Sequence, residues 1–310
     1  MDGILIIDKE KDYTSRDVVN IVGKKFKTKK VGHTGTLDPL ATGVLVVCVN
    51  KATKVCELLT SLDKEYIADF KLGLLTDTLD IEGNILKEEK ININKEDLIL
   101  VLNKIKGKYM QTVPIYSAIK VNGKKLYEYA RNNTPVELPK HEVDIKEIEL
   151  LEFNGDSFKI RTKVSKGTYI RSLGNDIAQM LNTNATMTNL RRTKQGLFDI
   201  KDAIKINDIN EDTNLIKITD VLNYPKVIAD INLEKDLLDG KILNNTFNND
   251  IILFVDNNNN PISLYKIYDK DNTKIKPWKT FKIKWYFCIF FFCFLWYTIY
   301  SKGVRVWKKY

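Results

Sequence analysis

The pattern of apolar and polar positions is clear at the start of the chain. Residues 3–7, Gly-Ile-Leu-Ile-Ile, form a short unbroken apolar run and predict a buried strand. Thr14 or Ser15 then precedes Val18, Val22 and Phe26 at helical spacing, which predicts a capped helix. From Gly32 to Gly43 there is no period, and three glycines punctuate the stretch, so a loop is expected. It leads into an apolar strand, Val44–Val49, and a helix over Thr53–Leu62 that turns Val55, Leu58, Leu59 and Leu62 inward. Tyr66, Ile67, Phe70 and Leu72 lie in a β-like run. Tyr116–Val121 ends at a hairpin-type Asn122-Gly123, and residues 142–152 and 157–164 read as strands paired around Asn154-Gly155-Asp156. Helices are expected at 94–105, 124–132 and 170–181. Strands mixed with helices, without a regular βαβ rhythm or an internal repeat, predict an α+β domain on a mixed, largely antiparallel sheet.

Near Tyr224-Pro225 the pattern changes to short strands and polar turns (Asp239-Gly240, Asn244-Asn245, Asn257 to Asn260-Pro261), so a boundary is placed there. The expected organisation is a larger domain over 1–224 and a small β-rich module over 225–281. Residues 282–310 differ from both. They include Trp285–Tyr300, sixteen apolar or aromatic residues with a single Thr. That is shorter than the ~20 residues of an ordinary membrane span. The extension reads as an anchor or as the product of a frameshift or read-through, and a membrane role is not expected.

Composition adds compartment and charge. At 310 residues, 44% hydrophobic and 29% charged, the chain can bury a full core. Cys48, Cys56, Cys288 and Cys293 form no Cys-x-x-Cys pair and no cleavable leader opens the chain, so a reducing cytoplasm is expected. The only histidines are His33 and His141, too few and too far apart to predict a zinc site. The net charge of +9 resides mostly in residues 271–310, which hold nine Lys or Arg and one acid. Elsewhere the charge is segregated. Residues 159–196 carry eight basic side chains against Asp176, residues 24–30 carry five lysines, and residues 199–239 carry ten acids against five lysines. Local positive faces of this kind suit a phosphate backbone, although solvated lysine-rich surfaces look the same in composition.

The loop Val31-Gly32-His33-Thr34-Gly35-Thr36-Leu37-Asp38-Pro39-Leu40-Ala41-Thr42-Gly43 carries the sharpest signal. Its glycines permit tight turns and close approach of a ligand, and Pro39 fixes the chain after the loop's only acid. Neither the P-loop nor the dinucleotide-binding spacing is present. A lone turn aspartate ordinarily bonds its own backbone. Here, however, the loop resembles the GHxGxLDPxAxGxL signature of the TruB-type tRNA pseudouridine-55 synthases, and further blocks follow in order. Lys64-Glu65-Tyr66, Thr76–Gly83 (TDTLDIEG), Pro114–Lys120 (PIYSAIK) with Gly123 and Leu126–Arg131 (LYEYAR), Ser165–Arg171 (SKGTYIR) and Leu190-Arg191-Arg192 all resemble family motifs, and the likeness runs from about residue 3 to about Phe281.

The resemblance implies a pseudouridine synthase fold ending in a small PUA-like RNA-binding module, with no cofactor. It implies action on the T-arm and elbow of tRNA; nothing in the sequence suggests a dedicated interface, so a monomer is expected. Asp38 would be the nucleophile or base on a flipped-out uridine, with Arg171 as its guanidinium partner. Tyr66 would stack on the uracil and is the candidate to take the C5 proton, Tyr169 and Leu190 would line the pocket, and His33 would fill the space left in the RNA. Lys64, Lys120, Lys124, Arg131, Lys166, Arg191 and Arg192 become candidate phosphate contacts, which position RNA without reading its sequence. The chain departs from the family at Glu10 and Val113, where proline is common. The alternative reading is a tRNA-binding folding chaperone in which catalysis is absent or incidental.

Overall fold

The computed structural model describes residues 1–282. The expectation for the extension therefore lies, from residue 283 on, outside the described residues. Two compact units divide near residue 222, the first being Met1–Leu222.

The first unit runs β1 (Gly3–Lys9), α1 (Ser15–Lys25), β2 (Val31–His33), β3 (Thr42–Val49), a 3-10 turn over Asn50–Val55 and α2 (Cys56–Thr60). Next come β4 (Lys64–Leu72), a hairpin of β5 (Leu74–Thr76) and β6 (Ile85–Glu88), α3 (Lys95–Ile105) and β7 (Gly107–Thr112). The small hairpin β8 (Lys120–Val121) and β9 (Lys124–Lys125) leads into α4 (Leu126–Arg131). The long strands β10 (Lys140–Phe153) and β11 (Ser157–Val164), α5 (Ile170–Met180) and β12 (Ala185–Gln195) follow, and β13 (Phe198–Asp199), β14 (Ile204–Lys205) and α6 (Ile218–Val221) close the unit.

One sheet carries this unit, in the order β14-β1-β3-β12-β4-β11-β10-β7, with β2 added to β3 and β13 to β12. It is mostly antiparallel, with parallel pairings at β1/β14 and β3/β12. The fold class is therefore the α+β one expected from the mixed element pattern. Along β4 every second residue is buried, so Lys64, Tyr66, Ala68, Phe70 and Leu72 share a face. Helix α5 covers that face. A Cβ on Gly174 would lie 2.0 Å from the Phe70 ring, so only glycine allows this approach. Phe70 also stacks on Phe158 at 5.0 Å, and Leu173, Ile177, Ile160 and Met187 complete the core around it. Helix α1 starts at a capping box: Thr14 Oγ1 accepts from the Asp17 N–H at 3.1 Å, and Asp17 Oδ2 accepts from the Thr14 N–H at 2.9 Å. Such a cap contributes about 1 kcal/mol.

In the second unit, β15 (Lys226–Ile228), α7 (Ile231–Leu238), β16 (Leu243–Asn244), β17 (Ile251–Val255), β18 (Pro261–Tyr268) and β19 (Asp271–Thr280) build a sheet in the order β15-β17-β18-β19-β16. Leu237, Ile252, Phe254, Ile262, Tyr265 and Ile275 form its core. Helix α7, capped by Asp230, is an addition to the expected strands and turns.

Two expected helices are shorter than the sequence suggested. The 53–62 segment is a 3-10 turn followed by a single α-helical stretch, and 124–132 begins as the strand β9 before it becomes helical. β7 and β12 carry no clear hydrophobic alternation in the sequence, yet both belong to the main sheet. Among the described residues no helix is long and apolar enough to cross a membrane.

Candidate active site

The loop bearing Asp38 is anchored at several backbone positions. Ser15 Oγ accepts from the Leu37 N–H at 2.8 Å and donates to the Leu37 carbonyl at 3.1 Å. Lys9 Nζ donates to the Pro39 carbonyl at 3.3 Å and to those of Tyr13 and Glu10 at 2.7 and 2.9 Å. On the other side, Arg192 donates from Nη2 to the Gly35 carbonyl at 3.0 Å and from Nε to the Val44 carbonyl at 2.6 Å. Gln195 Nε2 reaches the Thr34 carbonyl at 3.0 Å. The loop's exit passes so close to β12 that a Cβ on Gly43 would lie 2.2 Å from the Arg192 carbonyl oxygen, and Gly43 has φ +98°. A glycine is required there on both counts.

With the backbone held, the Asp38 side chain stands 43% exposed and meets Arg171, whose side chain is only 8% exposed. Arg171 sits in the first turn of α5. Its Nη2 lies 3.1 Å from Asp38 Oδ2 and donates to the Tyr116 carbonyl at 3.1 Å. Its Nη1 faces Asp80 Oδ2 at 3.4 Å and donates to the Thr78 carbonyl at 2.9 Å. Asp80 is itself held by Thr78 Oγ1 at 2.7 Å and by the Glu82 N–H at 3.2 Å. The guanidinium thus joins the Asp38 loop, the 76–83 turn and the 114–120 segment. A buried guanidinium held by two carboxylates and two carbonyls keeps its plane fixed.

Above this pair lies a cavity of about 460 Å³, lined by Asp38, Tyr66, Tyr116, Tyr127, Tyr169 and Leu190 among others. That volume lies in the range of small-molecule sites and suits one nucleoside. Tyr66 is 8% exposed, with the Arg192 guanidinium 6.0 Å from its ring centroid. Tyr169 precedes α5; its N–H donates to Gln111 Oε1 at 2.8 Å, and burial raises its phenol pKa. His33 stands at the end of β2 outside the cavity lining, its Nδ1 accepting from the Gly35 N–H at 3.4 Å. Burial, with Arg16 and Arg192 nearby, lowers its pKa, which favours a neutral ring.

The candidate phosphate contacts divide into two groups. Lys120, Lys124, Arg131 and Lys166 are exposed. Lys64 and Arg192 require correction, and Arg191 is half-buried. Lys64 is 7% exposed, donates to the Thr60 and Leu62 carbonyls at 2.5 and 2.7 Å, and has its pKa lowered to about 8, first by burial and then by Arg192. Arg192 is 1% exposed and turned onto carbonyls. Arg191 forms a two-pronged pair with Asp8 at 2.8 and 3.1 Å. Lys64 and Arg192 serve the scaffold, because each is buried with its partners inside the fold, whereas Arg191 keeps 39% of its side chain exposed beside Asp8.

Sequence reasoning missed Asp80, Tyr116 and Tyr127 as site residues. Each lies inside a motif block already singled out, and that position was the only available signal. Asp80 resembles an ordinary turn aspartate until Arg171 is seen against it.

Comparison with known proteins gives the family. Residues 23–170 match the N-terminal domain of the TruB family pseudouridylate synthases, and residues 171–229 match the tRNA pseudouridylate synthase B C-terminal domain. The chain is 52% identical over 201 residues to a tRNA pseudouridine synthase B from Fusobacterium nucleatum, covering 65% of this chain and 70% of that one. With the enzyme of the same name from Mycoplasma mycoides it shares 41% identity over 280 residues, or 88% of this chain and 96% of the relative. A solved Cbf5–Nop10–Gar1 complex shares the fold at a TM-score of 0.68 and 24% identity, with 91% of this chain and 85% of that chain covered. The protein therefore belongs to the TruB family of pseudouridylate synthases.

Proposed function

We propose that the protein isomerises uridine to pseudouridine at position 55 in the T-loop of tRNA, working as a cytoplasmic monomer without a cofactor. The observation that carries this reading is the Asp38–Arg171 pair beneath a nucleoside-sized cavity walled by Tyr66, Tyr169 and Leu190. Isomerisation breaks the N1 to ribose bond, forms a C5 to ribose bond and moves the C5 proton away, with N1 gaining one, so atoms and electrons balance within the substrate. Opening the bond between base and ribose requires a carboxylate, and Asp38 supplies it as nucleophile or base.

A uridine inside a folded loop has to be extruded before Asp38 can reach it, at about a few kcal/mol of lost stacking. The apolar and aromatic walls replace that stacking, with Tyr66 against the base and the Tyr66 hydroxyl as acceptor for the C5 proton. His33, outside the cavity, fills the gap left in the RNA as a neutral ring. Lys120, Lys124, Arg131 and Lys166 meet phosphates of the T-arm and elbow, which their exposure supports. The unit beginning at Asn223 acts as the PUA-like module on the acceptor arm. Trp278, with Lys266 and Lys279 at 5.9 and 5.7 Å from its ring, is a suitable surface for that contact.

The test is carbodiimide primer extension on an unmodified tRNA transcript incubated with the purified protein. One new stop at the T-loop uridine is expected. A transcript that binds the protein yet stays unmodified would favour the chaperone reading instead.

A further inference from the structure

Ser117 lines the cavity but has no part in the chemistry above. It is 6% exposed, and its buried Oγ makes no hydrogen bond of ordinary geometry within the protein. Buried hydroxyls are nearly always bonded, and the cavity that Ser117 lines is where a partner for this one can be brought to it. Its backbone is well held: the N–H donates to the Ile115 carbonyl at 3.0 Å, and the carbonyl accepts from the Tyr127 N–H at 3.1 Å. The preceding residue, Tyr116, is bound at its carbonyl by Arg171 Nη2, the nitrogen that also meets Asp38.

Tyr169 reaches the same place from the start of α5, two residues before Arg171, with its backbone latched at both N–H and carbonyl by Gln111 at 2.8 and 3.2 Å. Ser117 follows a residue bound by Arg171, Tyr169 lies two residues before Arg171, and both line one cavity. The Ser117 hydroxyl also lies near enough to the Tyr169 phenol to oppose the rise in pKa that burial imposes on it. Hydrogen bonds of this kind commonly tighten only in the substrate complex.

We propose that Ser117 is a positioning residue whose hydroxyl bonds that of Tyr169 when an extruded pyrimidine nucleoside packs into the cavity, fixing the phenol beside the Asp38–Arg171 pair. The inference rests on the pseudouridine synthase reading, and the wild-type protein keeps the two separate: no product from it removes both, whereas a failure confined to the variants removes only the role of Ser117.

The experiment compares Ser117→Ala, Tyr169→Phe and the double variant with wild type on an unmodified tRNA transcript, measuring kcat, KM and the thermal unfolding midpoint. Ser117→Ala is expected to lower kcat about ten-fold, the worth of one hydrogen bond, with KM and the unfolding midpoint unchanged. The double variant is expected to be no slower than Tyr169→Phe alone, since the two hydroxyls act as one unit. A wild-type rate for Ser117→Ala, losses that multiply in the double variant, or a lowered midpoint for Ser117→Ala would each overturn the proposal.

Discussion

The cations around the cavity fall into two sets that look alike in the sequence and behave oppositely in the fold. Lys9, Lys64, Arg171 and Arg192 are buried and turn their donors onto carbonyls or carboxylates of the loop and its neighbours. Lys120, Lys124, Arg131 and Lys166 are exposed, on the β8–β9 hairpin, α4 and the turn before α5. The first set builds the carboxylate's setting, and the second remains at the surface. Positive charge near a site therefore says little until the fate of its donors is known.

Removing Arg171 should give the largest effect. Arg171→Met leaves Asp80 buried without its cation, so unfolding in urea should show a loss of about 3–5 kcal/mol. Activity should be abolished as well, because Asp38 loses its orienting partner. Arg192→Met follows, with a loss of about 2–3 kcal/mol as the Gly35 and Val44 carbonyls lose charged donors. Equal stability for either variant would place these arginines in the surface set.

Lys9 and Lys64 make a smaller, pH-dependent contribution. Burial lowers each to about 8, below the ordinary lysine value. From about pH 8 up to that ordinary value the unfolded chain binds more protons than the folded one, so stability rises with pH across this window. Lys64→Met should flatten the rise by something on the order of 1 kcal/mol in denaturant titrations at successive pH values. The exposed set should give the smallest change in stability. Lys120→Gln, Lys124→Gln and Lys166→Gln should each stay within about 0.5 kcal/mol of wild type. Each should also weaken tRNA binding a few-fold and reduce the slope of log affinity against log salt by about 0.7–0.9 per lost contact. An unchanged slope would remove that lysine from the RNA surface.

The same division explains what the sequence made legible. β1, α1, β3 and the 32–43 loop were readable, because apolar runs, a cap and glycines act locally. β12 was not. Its inward positions include Thr186, Arg192 and Gln195, which bond Leu74, Val44 and Thr34 inside the protein. Counting hydrophobic residues fails where a central strand buries polar groups in satisfied networks. For the same reason Arg191 and Arg192 read as RNA contacts: their internal partners lie far away in sequence, at Asp8 and at Gly35, whereas Lys64 turns back onto the nearby Thr60 and Leu62 carbonyls. Asp38 and Arg171 were legible through motif resemblance, whereas Asp80 became visible only as the second carboxylate on Arg171.

The central claim is that the Asp38 carboxylate performs the reaction. Its most direct test is pseudouridine yield from an unmodified tRNA transcript with Asp38→Asn, alongside the affinity of that variant for the same transcript. Loss of product by at least about a thousand-fold, with tRNA binding retained, is the result expected when a reactive group is removed from an intact site. Product formed at close to the wild-type rate would contradict the account.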